Sequence, residues 1–141
     1  MSSAPSGPTN IQSSIQTTID TMTEAFGRGD VDGILRTYEP GAVVVGQPGA
    51  PVQGSPALRA MFEQFIALKP TFQFLDHEII QAGDIALHLN HWTMTGTAPN
   101  GASVEQGGLS VVILRRQADG RWLMVIDDPF GNAILDRASR G

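Results

Sequence analysis

Few side chains in this sequence could move a proton, and two of them are adjacent. Asp127 and Asp128 stand just before Pro129-Phe130-Gly131. A carboxylate works as a general base when an apolar wall raises its pKa and an acidic C–H lies within hydrogen-bond reach. Neighbouring residues on a strand point to opposite faces, so one of the two faces inward. Asp127 is the inward candidate, and Asp128 faces out unless a bulge exchanges them. The other use for Asp127 is structural: an Asp before Pro and Gly caps a turn by accepting backbone N–H groups.

His91 shares its strand face with Leu87, Leu89, Thr93 and Thr95. It reads either as a partner for the Asp or as a hydrogen-bonded core histidine. The opposite face carries Ala86, His88, Asn90, Trp92 and Met94, a mixture suited to cover by a second subunit. His88 and His91 fall on opposite faces, so they cannot share a metal ion, and no metal site is expected. His77, between Asp76 and Glu78, reads as a solvated strand residue. Glu105 stands two residues before Gly107-Gly108 and points either to a cavity mouth or to solvent. Tyr38 ends an apolar helix stripe, which places its ring in the core and its hydroxyl at a pocket rim. The sequence has no Gly-rich phosphate loop before a helix and no nucleophile elbow.

Composition narrows the chemistry further. The chain has 141 residues, a formal charge of −5, 16% charged residues and no cysteine. That length fits one domain with a core and a pocket. The absence of Cys removes thiolate, disulfide and Cys-metal chemistry. The acidic balance argues against nucleic-acid binding. The opening residues lack the apolar core of a signal peptide, and no later run suits a membrane span, so a cytoplasmic location is expected.

The elements that must carry these groups follow from periodicity. Residues 1–9 read as a disordered tail, 10–134 as the domain and 135–141 as a C-terminal tail. Ile11, Ile15, Ile19, Met22 and Phe26 form one stripe of an amphipathic helix. Asp30 caps a second helix whose face is Val31, Ile34, Leu35 and Tyr38, ended by Pro40-Gly41. A short strand follows, then a helix started by Ser55-Pro56 with its stripe from Leu58 to Ile66. From Thr71 the pattern changes to strands: Thr71–Ala82, Ile85–Thr97, Ser103–Arg116 and Arg121–Asp128. Asp119-Gly120 marks a hairpin. Gly107-Gly108 marks a bulge or bend within its strand. Helices first and antiparallel strands after predict an α+β fold, with a bent sheet closing around three N-terminal helices as a cone. An apolar concavity with few polar groups is the default small-molecule site.

The run from Ala25 through Asp30-Val31-Asp32-Gly33 to Tyr38-Glu39-Pro40-Gly41-Ala42-Val43 resembles the opening of NTF2-like proteins. Asp119-Gly120-Arg121-Trp122 and Asp127-Asp128-Pro129-Phe130-Gly131 resemble the final hairpin of their SnoaL-like, ketosteroid-isomerase-homologue branch. The resemblance implies the cone fold, a homodimer through the sheet, and a cavity lined by the strand face of Leu87, Leu89, His91 and Thr93. It does not imply one reaction, because this fold hosts many. Ketosteroid isomerase uses a carboxylate base with Tyr and protonated-Asp donors. Carried onto this chain, the base falls at Val45 or Gly46, the Tyr at Met22 and the Asp at Val112 or Ser110. All three roles are vacant. The Asp–Arg–Asp arrangement of limonene-epoxide-hydrolase-like members finds no Asp beside Arg115 or Arg116. Polyketide-cyclase-like members pair a pocket Asp with a His, which here implies Asp127 or Asp128 with His91. Two functions therefore stand: cofactor-independent acid/base isomerisation or cyclisation of a small apolar or polyketide-like molecule, or a binding or dimerisation module without catalysis.

Overall fold

The computed structural model describes residues 6–140, with side-chain burial defined for 13–136. Its elements in chain order are α1 (Ser6–Arg28), α2 (Val31–Leu35), β1 (Tyr38–Gln47), β2 (Ala50–Gln53), α3 (Ser55–Ile66), β3 (Thr71–Ala82), β4 (Ile85–Thr97), β5 (Ser103–Arg116), β6 (Trp122–Asp128) and α4 (Ala133–Arg140). Helix α1 begins inside the expected N-terminal tail, of which residues 1–5 lie outside the described residues. Helix α4 occupies most of the expected C-terminal tail. No helix among the described residues is long and apolar enough to cross a membrane.

The strands form one sheet in the order β2-β1-β6-β5-β4-β3, antiparallel except where β1 runs parallel to β6. The fold is α+β, as expected, with the helices packed into a curved, open sheet. Ile15 and Ile19 of α1, Ile34 of α2 and Phe62 of α3 pack against Val44, Ala86, Leu114 and Met124 of the sheet. Asp30 caps α2 by accepting the Gly33 N–H at 2.9 Å, which closes the tight α1–α2 corner.

Tyr38 is the first residue of β1, not the last of a helix. Pro40-Gly41 is tolerated in the strand because the β1–β6 register slips between Tyr38 and Val43. A proline lacking its N–H fits at such a bulge. Two further bulges reset the direction of side chains. In β6 the register passes from Met124 opposite Leu114 to Ile126 opposite Ile113, so Val125 is extra. In β3 it passes from Phe74 to Asp76, so Leu75 is extra. Beyond each bulge, the residues facing the helices change parity.

Gly107-Gly108 is not a bulge. Thr93 pairs with Gly107 and Trp92 with Gly108 in an unbroken β4–β5 ladder. The glycines serve close approach instead. A Cβ on Gly107 would lie 2.9 Å from the Trp92 carbonyl oxygen, and one on Gly108 would lie 2.5 Å from Asn132 Oδ1. Asn132 Oδ1 accepts the Leu109 N–H at 3.0 Å, tying the segment after β6 onto β5. Gly107→Ala should lower the unfolding free energy by about 1–3 kcal/mol, because the contact is with backbone that cannot turn aside. Urea unfolding should show a lower midpoint with an unchanged slope. A midpoint at or above wild type would contradict the close approach.

Candidate active site

Between the helices and the inner face of the sheet lies a cavity of about 110 Å³. That is the scale of the roughly 150 Å³ apolar cavity known to take benzene. Its walls are mostly aromatic and aliphatic. Phe26 meets Phe62, Phe65 and Phe72 edge-on at 5.5–5.7 Å, and Phe130 meets Trp92 at 5.9 Å. Trp92 donates its indole N–H to the Pro129 carbonyl at 2.8 Å, which fixes that wall. No Lys or Arg lines the cavity among the described residues.

Asp127 is in this wall and is 6% exposed. The bulge at Val125 puts it there. Trp122 and Met124 face the helices, and plain alternation would bring Ile126 inward next. Instead Ile126 is 41% exposed and Asp127 is buried. Tyr38 donates its hydroxyl to Asp127 Oδ2 at 2.5 Å. Met22 Sδ lies 3.4 Å from the same hydroxyl, as a packing contact, since the one phenolic proton is committed to the carboxylate. Oδ1 of Asp127 makes no hydrogen bond among the described residues.

Burial pushes the Asp127 carboxyl up to about 6; the Tyr38 hydrogen bond opposes that rise and the neighbouring Asp128 charge adds to it. Burial also raises the Tyr38 phenol far above its ordinary value, reinforced by the Asp127 charge and hydrogen bond. Tyr38 therefore stays protonated while Asp127 exchanges its proton near neutrality. An aspartate of that kind serves as base or acid by turns.

Asp128 takes the turn-capping task. Its Oδ1 accepts the Phe130 N–H at 3.0 Å, and its side chain points away from the cavity. The cap expected of Asp127 thus falls one residue later.

The expected facing of β4 is reversed. Ala86, His88, Asn90, Trp92 and Met94 are the buried, inner row. His91 is exposed on the outer face, paired in register with Leu109 and Asp76, and lies outside the cavity. Leu87, Leu89 and Thr93 share that outer face and do not line the cavity. Glu105 is exposed on β5 and is also outside it. The row assigned to a subunit interface is therefore a cavity wall, and the row assigned to the cavity is outward. Tyr38 and Asp127 are the expected site residues that the fold brings together.

His88 is the polar residue that sequence reasoning placed on the wrong face. It is 1% exposed, and its ring stacks on His77 at 5.5 Å. Burial lowers its pKa to about 4, helped by His77 and partly offset by Asp20. His77 is exposed on β3. Asn90 donates one amide N–H to the Asp76 carbonyl at 3.0 Å and also lines the cavity. The parity of Asp127 could have pointed to His88. Asp127 pairs with Val112, and Val112 with His88, so the three share one row across the sheet.

The positions where ketosteroid isomerase groups would fall, Val45, Gly46, Met22, Val112 and Ser110, all line this cavity. Arg115 is held by Glu39 at 2.9 and 3.1 Å, and Arg116 by Asp84, on the surface and away from it. No cluster of three or more metal-ligating side chains occurs among the described residues.

A family profile described as a SnoaL-like domain matches residues 19–125. No curated protein matches the sequence. Several solved structures share the fold. An NTF2-like superfamily protein from Salmonella enterica serovar Typhimurium is 14% identical, with a TM-score of 0.77 over 86% of this chain and 91% of its own. A candidate dehydratase of the NTF2-like family from Streptomyces avermitilis is 18% identical, with a TM-score of 0.75 over 86% and 95%. A ketosteroid isomerase-like protein from Erwinia carotovora is 20% identical, with a TM-score of 0.70 over 82% and 92%.

The buried carboxyl has a consequence for stability. Its folded pKa is raised from 3.8 to about 6, so the folded chain holds the proton more tightly than the unfolded one. The resulting stability is fully present below the unfolded pKa and is lost as pH rises through the folded value. The shift corresponds to roughly 3 kcal/mol at ~1.4 kcal/mol per unit. Asp127→Asn should therefore gain stability relative to wild type by about that amount between pH 3.5 and 7.5, measured by urea unfolding across that range (~3 kcal/mol). A difference independent of pH would mean that Asp127 ionises without a burial penalty.

Proposed function

Because the chain belongs to the SnoaL-like domain family, which has isomerase- and dehydratase-like relatives, we propose that its cavity carries out cofactor-independent acid/base chemistry on a small, uncharged, apolar substrate. The carrying observation is the Asp127 carboxyl, buried in an apolar wall and held by Tyr38. In the reaction Oδ1 of Asp127 removes a proton from a carbon next to a carbonyl. The electron pair moves onto the carbonyl oxygen. The proton then returns at another carbon, completing an isomerisation, or the carbanion adds to a second carbonyl carbon of the same molecule, whose oxygen takes the electron pair and the proton from Asp127 as the ring closes. Tyr38 keeps the carboxylate oriented and ionisable. The Ser110 hydroxyl, on the same cavity wall, is the donor nearest in kind to what the developing oxyanion requires. Lack of a lining cation among the described residues disfavours carboxylate or phosphate substrates.

Proton transfer can be read without knowing the natural substrate. Cyclohexanone in D2O should exchange its α-hydrogens faster with the protein than without it, followed by proton NMR. The rate should rise with pH around an apparent pKa near the Asp127 value of about 6. Asp127→Asn should reduce the acceleration by about 10²–10⁴-fold. Equal acceleration by the Asn variant would remove Asp127 from the role. Binding of the ketone with no exchange would favour the non-catalytic ligand-binding reading.

We also propose a homodimer through the outer face of the sheet. Leu87 and Leu89 of β4 pair in register with Ile113 and Val111 of β5, and Ile126 of β6 continues the row. Ile80, Leu109 and Ile126 are 50%, 39% and 41% exposed, a large apolar share for a surface that stays in water. Light scattering at micromolar concentration should give twice the chain mass, and Leu89→Lys should give a monomer. A monomeric wild type would refute the interface.

A further inference from the structure

The cavity has a second polar point, and its hydrogen-bonding character can be derived. Asp20 Oδ1 accepts from Gln16 Nε2 at 2.9 Å. The carboxylate oxygen accepts in this contact, so the Gln16 amide nitrogen faces it. That turns Gln16 Oε1 toward His88, where it lies 2.8 Å from Nε2. An amide oxygen only accepts as well, so Nε2 of His88 carries the proton. Burial keeps the ring neutral at pH 7. A neutral imidazole holds one proton, so Nδ1 bears a lone pair.

Nδ1 of His88 is wholly buried and has no hydrogen-bond partner among the described residues. Buried polar atoms without partners are rare in folded chains, because each forfeits its hydration. His88 lines the cavity that Asp127 lines. Its strand position is two ladders from Asp127, with Val112 between. At about 4.8 Å per strand, the two Cα positions are roughly 10 Å apart. A ring-sized molecule between them meets Asp127 at one end and, once the side chains around Nδ1 give way, His88 at the other, with Thr23, Asn90 and Ser110 among otherwise apolar walls.

We propose that His88 is a substrate-recognition residue whose Nδ1 accepts a hydrogen bond from a hydroxyl group on an uncharged ring compound bound against Asp127. This rests on the reading of the cavity as the reactive site. The preferred substrate class is thus a hydroxylated ring compound with an enolisable C–H. The Asp20–Gln16 pair on α1 acts through His88 by fixing its tautomer. An anionic ligand group would be repelled from a lone pair with no cation nearby. A fully apolar ring would leave Nδ1 unpartnered.

The test compares p-cresol with p-xylene, which differ by a hydroxyl in place of a methyl group. Both are titrated into protein with ¹⁵N-labelled histidine and tryptophan. The cresol-to-xylene affinity ratio should fall about tenfold in His88→Phe. His88→Asn, which places an amide oxygen near the Nδ1 position, should restore much of it. In wild type the His88 Nδ1 resonance should move with p-cresol and stay in place with p-xylene. This readout does not depend on any variant folding. Glu105→Gln, exposed on β5 and outside the cavity, should leave the ratio unchanged. An unchanged ratio in His88→Phe, or an Nδ1 resonance unmoved by p-cresol, overturns the proposal. A ratio lost in Asp127→Asn and kept in His88→Phe overturns it too, while leaving the cavity and Asp127 in place. If neither compound moves the Trp92 indole resonance, the cavity itself is not the binding site and both readings fall.

Discussion

A carboxyl group buried in an apolar wall is costly unless something meets it, and in this chain that something is one tyrosine hydroxyl. The Tyr38–Asp127 hydrogen bond joins β1 to β6, the one parallel pair in the sheet. Much of the architecture around it exists so that the two side chains can meet. Residue Val125 is inserted in β6 so that Asp127 turns inward. The segment Glu39–Ala42 bulges so that β1 can start at Tyr38 opposite Met124 and still pair Val44 with Asp127. Helices α1 and α3 supply Met22 and Phe62 against the Tyr38 ring. A single hydrogen bond does not neutralise the burial penalty, and the carboxyl is left able to gain or lose its proton near neutrality. Complete satisfaction by several donors would have held it permanently ionised.

How much of this was legible in the sequence depended on whether side-chain direction was local. The order of elements, the Asp30 cap and the strand boundaries followed from periodicity and turn residues. Inward or outward facing did not. Both rows of β4 are largely apolar, because the outer face of the sheet carries Leu87 and Leu89 as well as the inner face carrying Ala86 and Met94. Alternation then supplies two rows without saying which is inside. The pairing of Trp92 and Met94 suggested an interface, but the same residues serve equally as an aromatic cavity wall. On β6, alternation from Trp122 and Met124 alone would have excluded Asp127. The bulge that admits it leaves no local mark, since Val125 is an ordinary strand residue. Gly107-Gly108 carried a strong signal of the wrong kind: glycine reports a missing Cβ, and here the vacancy admits neighbouring atoms rather than bending the ladder.

The vacant ketosteroid-isomerase positions gain meaning from the structure. Val45, Gly46, Met22, Val112 and Ser110 still line the cavity, so the concavity is kept while its reactive groups are absent. In this chain the titratable group stands on β6, and its phenolic partner stands at the start of β1. The two arrangements use the same physical resource, an apolar pocket formed by helices lying in a bent sheet. Within such a pocket any inward row can host a carboxyl, provided one donor reaches it. Fold likeness at under 25% identity therefore describes the fold and leaves the chemistry to be read from the residues.

The cross-strand row of Asp127, Val112 and His88 gives that chemistry a direction. One end exchanges a proton, and the other offers a fixed lone pair. Between them stands Val112, with Ser110 and Asn90 beside it, and no cation lines the cavity among the described residues. These features constrain a ligand more tightly than the cavity's size does. Charge is excluded because nothing would compensate it, and bulk polarity is excluded because the walls would leave it unpaired. On the proposed reading, the ligand is a small molecule whose polarity is concentrated at points matching the two acceptors. The Asp20–Gln16–His88 chain matters for the same reason as the Tyr38–Asp127 bond. In each, a residue on a neighbouring element sets which atom of the cavity group is free to meet a ligand. On the proposed reading, recognition depends on α1 and β1 as directly as on the strands that bear Asp127 and His88.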